Sequence, residues 1–216
     1  MKKTILLFVA ILAVTGTLKA QQQFDREELR IIQHPSEKGL LRVLQTTVKE
    51  DSLKLRRIAQ LLDVKEPKLQ ALLDLLLHTV QDPENEGVGI AAPQVGVNKQ
   101  LFLVQRFDKE GTPFEAILNP TILWTSNLIQ AGREGCLSIP DTMGIVNRFY
   151  SIRVQYQTPR GEWNTEILEG FTAVIFQHEY DHLMGKLFID RLAEQQQQEY
   201  ITPQHNFYYL SGKNTR

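Results

Sequence analysis

The sequence predicts an α+β domain, on three observations. Leu69, Leu72, Leu73, Leu76 and Val80 recur at helical spacing behind Pro67, which gives one apolar helix face. Ile152, Val154 and Tyr156 alternate with polar residues; a Pro159-Arg160-Gly161 turn follows, and Trp163, Thr165 and Ile167 alternate again, as in a hairpin with one face buried. Phe171, Val174, Ile175, His178 and His182 fall at i, i+3, i+4, i+7 and i+11, so a helix is expected from about Phe171 to Met184, stopped by Gly185.

The remaining elements follow in order. Lys2 and Lys3 precede an apolar run from Ile5 to Val14, and small residues lead to Ala20 before Gln21-Gln22-Gln23. A basic end, a short apolar stretch and a cleavage point make residues 1–20 a signal peptide, with an uncleaved anchor or a cytoplasmic start as the alternatives. The run is short for a membrane span. Residues 21–50 read as an extended polar lead-in, and Asp51-Ser52 as the start of a short helix through Leu62. Asp82-Pro83-Glu84-Asn85 is a turn. Leu101 to Val104 and Phe114 to Leu118 are strands on either side of the Lys109-Glu110-Gly111 turn. Residues 21–192 form a single catalytic domain in this reading. A Gln-rich tail, 193–216, begins as helix and then frays, with Phe207-Tyr208-Tyr209-Leu210 able to dock on the body.

The chain has 216 residues and a formal net charge of -1, so bulk charge argues against a nucleic-acid partner. Membrane contact is expected only through residues 1–20, if they stay attached. Cys136 is the one cysteine, so no intramolecular disulfide is possible. An exported chain that keeps a single thiol needs a use for it, and metal ligation is one.

Cys136 lies in Glu134-Gly135-Cys136-Leu137-Ser138, and His178-Glu179-Tyr180-Asp181-His182 follows about forty residues later. Two imidazoles one turn apart point the same way and bind one ion. With the thiolate they leave a coordination position open for water, as in a catalytic rather than a structural metal site. Glu179 sits beside His178, within reach of that water, and Asp181 lies on a flank where it orients a ligand or a basic neighbour. Core histidines beside a surface glutamate are the bland reading; buried unpaired imidazoles are costly, which weighs against it. An H-E-x-x-H spacing alone also fits a zinc endopeptidase, which would take a third ligand from Glu194, Glu199 or His205. His78 has no partner at metal spacing and is expected to pack or face solvent.

Three blocks in one order resemble the peptide deformylase family: Gly87-Val88-Gly89-Ile90-Ala91-Ala92-Pro93-Gln94, Glu134-Gly135-Cys136-Leu137-Ser138 and Gln177-His178-Glu179-Tyr180-Asp181-His182. The resemblance spans about residues 85 to 190. It implies antiparallel or mixed sheets packed around a central helix that carries the histidines. It implies removal of the formyl group from N-formylmethionyl peptides, with Fe2+ as the expected metal and Zn2+ or Ni2+ as substitutes. Cys136, His178 and His182 would be the ligands and Glu179 the general acid/base. The Gln94 amide and the Leu137 N–H would hold the oxyanion. Gly89, Ile90 and Gly135 would meet the substrate backbone, while Phe171, Val174 and Ile175 would line the methionine pocket. Glu134, Asp181 and Arg148 would support the ligands from behind. Gly87 and Gly89 would let a peptide add alongside as an extra strand. Met143 stands where many members carry an arginine. Leu41-Arg42 and Leu55-Arg56 both match a Leu-Arg pair the family commonly has near its front. A non-catalytic exported binding protein is the third alternative, and Glu179 argues against it, since a pure binder needs no base.

Overall fold

The computed structural model describes residues 21–85, 87–204 and 206–210. The segment expected as a signal peptide lies outside them. Among the described residues, no helix is long and apolar enough to cross a membrane.

The first helix, α1 (Arg26–Gln33), falls in the stretch expected to be extended. Asp25 accepts from the N–H groups of Glu27 and Glu28, and the Glu28 carboxylate accepts from the Asp25 N–H at 2.8 Å. This is a reciprocal cap that Asp25-Arg26-Glu27-Glu28 carries in its spacing. Glu28 is buried, accepts from the Asn98 N–H at 2.9 Å and pairs with the buried Lys99 at 3.2 Å. The helix is thereby fastened to the loop behind Gln94.

The second helix, α2 (Lys49–Leu55), stops well short of Leu62. The chain beyond it is taken by tertiary partners: the Ala59 N–H donates to the Leu183 carbonyl and the Leu62 N–H to Asn119 Oδ1, each at 2.8 Å. Helix α3 (Leu69–Gln81) buries Leu69, Leu72, Leu73, Leu76 and Val80, the stripe its spacing predicts. His78 is exposed.

Strands β1 (Gly89–Ala91), β2 (Leu101–Gln105), β3 (Phe114–Thr125), β6 (Ser151–Gln157) and β7 (Trp163–Glu169) form a five-stranded antiparallel sheet in the order β1-β2-β3-β6-β7. A second antiparallel sheet has the order β5-β4-β9-β8, from β4 (Leu128–Cys136), β5 (Ile139–Phe149), β8 (Tyr200–Gln204) and β9 (Phe207–Leu210). Helix α4 (Gly170–Leu183) packs against strands of both sheets and carries His178, Glu179 and His182. Phe102, Val104, Ile152, Val154, Ile175 and Phe176 share one core cluster beneath it. The main chain turns away after α4 at Gly185, whose φ is +68° and whose missing Cβ would lie 2.4 Å from the Arg56 carbonyl oxygen. Helix α5 (Phe188–Gln195) lies against β5.

One further expectation needs correction. In the β6–β7 hairpin Trp163, Thr165 and Ile167 are exposed, while Asn164, Glu166 and Leu168 oppose Tyr156, Val154 and Ile152 on the inner face. Glu166 faces inward because it meets Arg106, which is almost fully buried and pairs with Asp108, Glu115 and Glu166 at 2.7, 2.7 and 2.9 Å. Helix α5 runs through residue 193 to Gln195, and the segment beyond it adds β8 and β9 to the second sheet, where the ring of Phe207 lies 5.6 Å from that of Tyr150.

Hydrogen bonds from Arg106 hold the Asp108 carboxyl down at about 2. Burial pushes Glu166 upward, but bonds from Arg106 and Tyr156 outweigh it and leave it lowered. A carboxyl depressed on folding contributes stability that is full above its ordinary value and lost as pH falls through the folded one. The cluster therefore weakens from about pH 4 down to about pH 2. Urea unfolding across that range should show a falling midpoint, with Arg106→Met less stable at pH 7 and flatter in its pH profile; parallel profiles would refute the assignment.

Candidate metal centre and cleft

Strand β4 ends on Cys136, where a register shift moves the pairing with β5 from Met143, opposite Gly135, to Ile139, opposite Cys136. Helix α4 brings two imidazoles to the same place. The Cys136 Sγ lies 3.4 Å from His182 Nε2, and ligand atoms of Cys136, His178 and His182 all fall within 4.8 Å of one another. Bond lengths of ~2.3 Å to sulfur and ~2.0–2.1 Å to nitrogen put tetrahedral ligand atoms about 3.3–3.6 Å apart, so the three fit one ion with little movement. Among the described residues this is the group of closely set donors that could hold a metal.

Electrostatics agree with a cation here. Burial pushes the Cys136 thiol up, but the neighbouring imidazoles outweigh it and hold it well below the usual thiol range. Burial pushes His178 down, yet Cys136 and Glu134 bring it well above the usual imidazole range. Both directions reflect a sulfur and a carboxylate that require positive charge between them. A divalent ion held there would supply it with both rings neutral.

Behind the ligands runs a chain of buried charge pairs. His178 Nδ1 lies 2.9 Å from Glu134 Oε2, which fixes the ring and leaves Nε2 for the metal. Glu134 accepts from Arg148 Nε at 2.8 Å and from its Nη2 at 2.9 Å. Arg148 also donates to Asp181, which accepts in turn from Arg191 on α5. Burial raises Glu134, but Arg148 and His178 outweigh it and set the carboxyl at about 2. The network ties β4, β5, α4 and α5 to one histidine ring. Arg148 is buried in these pairs and is not free to contact a peptide.

Glu179 is buried, its Oε2 has no hydrogen-bond partner among the described residues, and neither has His182 Nδ1. Burial pushes the Glu179 carboxyl up to about 7, against the pull of His178 and His182. Gln94 Oε1 accepts from the Ala91 N–H at 2.8 Å, which turns the amide so that Nε2 donates to Ser138 Oγ at 3.3 Å and faces Cys136 Sγ at 3.6 Å.

These groups form the base of an open cleft of about 990 Å³. Gly89, Gly135, Leu137, Phe171, Val174 and Ile175 line it, as does the exposed Met143. Ile90 does not: its side chain is fully buried in the core against α3. The absence of a side chain at Gly89 has a more local cause than peptide docking, because a Cβ there would lie 2.5 Å from Glu179 Oε1. At Gly87 the nearest atom is Val80 Cγ2, at 3.2 Å. Glu194, one third-ligand candidate for an endopeptidase, is bonded to Lys186 and Arg191, and His205 lies outside the described residues.

Sequence reasoning assigned no role to Ser138 or Gln45. Ser138 is fully buried against the Gln94 amide, and Gln45 Nε2 donates to the Leu137 carbonyl at 2.9 Å. Ser138 stood inside a motif block and could have been found; Gln45 lies in no motif and carried no signal.

An ion site of one thiolate and two imidazoles, set beside a buried carboxylate in an open cleft, defines a mononuclear metal centre of the hydrolytic kind. The chain belongs to the polypeptide deformylase family, whose model matches residues 44–198. It is 37% identical to the peptide deformylase of Thermotoga petrophila over 139 residues, 64% of this chain and 81% of that one. It is 39% identical over 153 residues to peptide deformylase 2 of Nostoc, covering 65% of this chain and 84% of that one. Among solved structures, a class I type b peptide deformylase from Acinetobacter baumannii superposes with a TM-score of 0.64 at 36% identity, over 70% of this chain and 98% of that one. The Thermotoga maritima peptide deformylase superposes with 0.63 at 35% identity, over 70% and 97%. The match begins at residue 44, so of the two Leu-Arg pairs only Leu55-Arg56 lies within it.

Proposed function

We propose that this chain removes the formyl group from N-formylmethionyl peptides and releases formate. The reading is supported above all by the convergence of Cys136, His178 and His182 beside the buried Glu179, inside the family match. Cys136, His178 and His182 would hold an ion, Fe2+ in our reading and replaceable by Zn2+ or Ni2+, which would supply Lewis acidity. Glu179, with a carboxyl at about 7, accepts the water proton and passes it to the leaving amine as the C–N bond breaks. Formate and the free amino terminus are the products, and the proton count closes. The Gln94 Nε2 and the Leu137 N–H hold the oxyanion, where one donor is typically worth ~3 kcal/mol of barrier. Phe171, Val174 and Ile175 receive the methionine side chain, and Gly89, Ile90 and Gly135 offer main chain to the peptide. Glu134, Arg148 and Asp181 keep the His178 ring in place.

Glu179→Ala should retain one equivalent of metal while formate release from formyl-Met peptides falls at least ~100-fold. Full activity in that variant would remove the mechanism.

We also propose that residues 1–20 direct export and are cleaved after Ala20. Lys2 and Lys3, the run from Ile5 to Val14 and the small residues before Gln21 support this. Mass spectrometry of the native protein should find Gln21 at its amino terminus; intact Met1 in a soluble fraction would refute export.

A further inference from the structure

Among the described residues that line the metal cleft, one is a lysine or arginine: Arg133 of β4. Strand geometry puts it there. Arg133 and Gly135 are two residues apart, so they stand on the same face of β4, about 7 Å from each other. Gly135 opposes Met143 on β5 and Arg133 opposes Ile145, which makes Met143 the diagonal neighbour of Arg133. The arginine leans across to it. Its Nε lies 3.1 Å from Met143 Sδ, and Met143 lines the cleft as well. The contact rests the exposed side chain on an apolar neighbour and leaves the charged end in water.

The protein does not answer this charge. Nη1 and Nη2 of Arg133 have no acceptor, and the side chain has no ion pair, among the described residues. Arg42, Arg106, Arg148 and Arg191 are each held by carboxylates. The acids of the cleft lining are placed elsewhere. Glu134 is taken by Arg148 and His178, Glu179 is buried beside the metal ligands, and Glu84 lies 3.7 Å from Lys38. Asp141, exposed on the same hairpin, makes no bridge to Arg133. An open guanidinium fork presents parallel N–H donors that a carboxylate fills with both of its oxygens.

We propose that Arg133 is a specificity-determining residue whose guanidinium receives a carboxylate of the formyl peptide. Two sources supply that group: the free carboxy terminus of a peptide a few residues long, or an aspartate or glutamate side chain close behind the formylmethionine. From Cys136 to Arg133 is about 10 Å of strand, the length of three extended residues, which sets the scale. The inference rests on the deformylase reading of the cleft. It makes this chain selective for acidic formyl peptides over neutral ones.

The test measures formate release by the metal-loaded protein from three tripeptides: formyl-Met-Ala-Ala amide, the same peptide with a free carboxylate, and formyl-Met-Asp-Ala amide. At least one acidic peptide should show a KM about fivefold below that of the neutral amide at similar kcat. A gain by the free acid alone assigns the carboxy terminus, and a gain by the aspartyl peptide assigns the side chain. Arg133→Met keeps the length of the side chain and removes its charge. It should bind one equivalent of metal and bring the acidic and neutral KM values within about twofold. Equal KM values for all three peptides in the unaltered protein, or a preference that survives Arg133→Met, would overturn the proposal. If no peptide releases formate, the deformylase reading fails instead. Arg133 is then judged by calorimetric titration of the free acid against the amide, with equal affinities counting against it.

Discussion

Charge neutralisation at His178 organises this molecule. The ring stands between the Cys136 sulfur and the Glu134 carboxylate, both held in their negative forms by what surrounds them. Neither would tolerate burial alone, since an isolated buried anion is costly. A cation on one side would satisfy the sulfur, as Arg148 on the other satisfies the carboxylate. The requirement explains why β4, β5, α4 and α5 meet at one point rather than packing as separate layers, and why so many charged side chains are buried around it.

The same balance shapes the neighbouring groups. Glu179 gains no hydrogen bond for Oε2 and sits against a glycine, so its carboxyl is kept dry and close to neutral pH in its affinity for protons. That is the property a group needs if it is to take a proton and return it within one turnover. Gln94 is fixed through its oxygen by the Ala91 N–H, which leaves its donor end aimed at the sulfur side of the site. The loop behind Gln94 is fastened in turn by Glu28 and Lys99, so helix α1 braces the cleft.

Much of this was legible in the sequence where a single period governs. The leucine stripe of α3 and the histidine face of α4 follow from helical spacing alone, and the ligand set from Cys136 and the two histidines. The reading failed where buried charge replaces apolar alternation. Glu134 and Arg148 face inward on β4 and β5, so neither long strand shows a clean period of two, and the β6–β7 hairpin turns Glu166 inward and Ile167 outward to serve Arg106. Helix α1 was missed although Asp25 and Glu28 announce its cap, because only Leu29, Ile31 and Ile32 of its eight residues are apolar. The short extent of α2 depends on partners as distant as Leu183 and Asn119, which no local pattern encodes.

The account stands on sulfur and imidazole sharing one ion. X-ray absorption of the zinc-loaded protein reads this directly. One metal per chain, with one sulfur scatterer at about 2.3 Å that disappears in Cys136→Ser, is the predicted result. Full occupancy by an ion with nitrogen and oxygen neighbours only would contradict it.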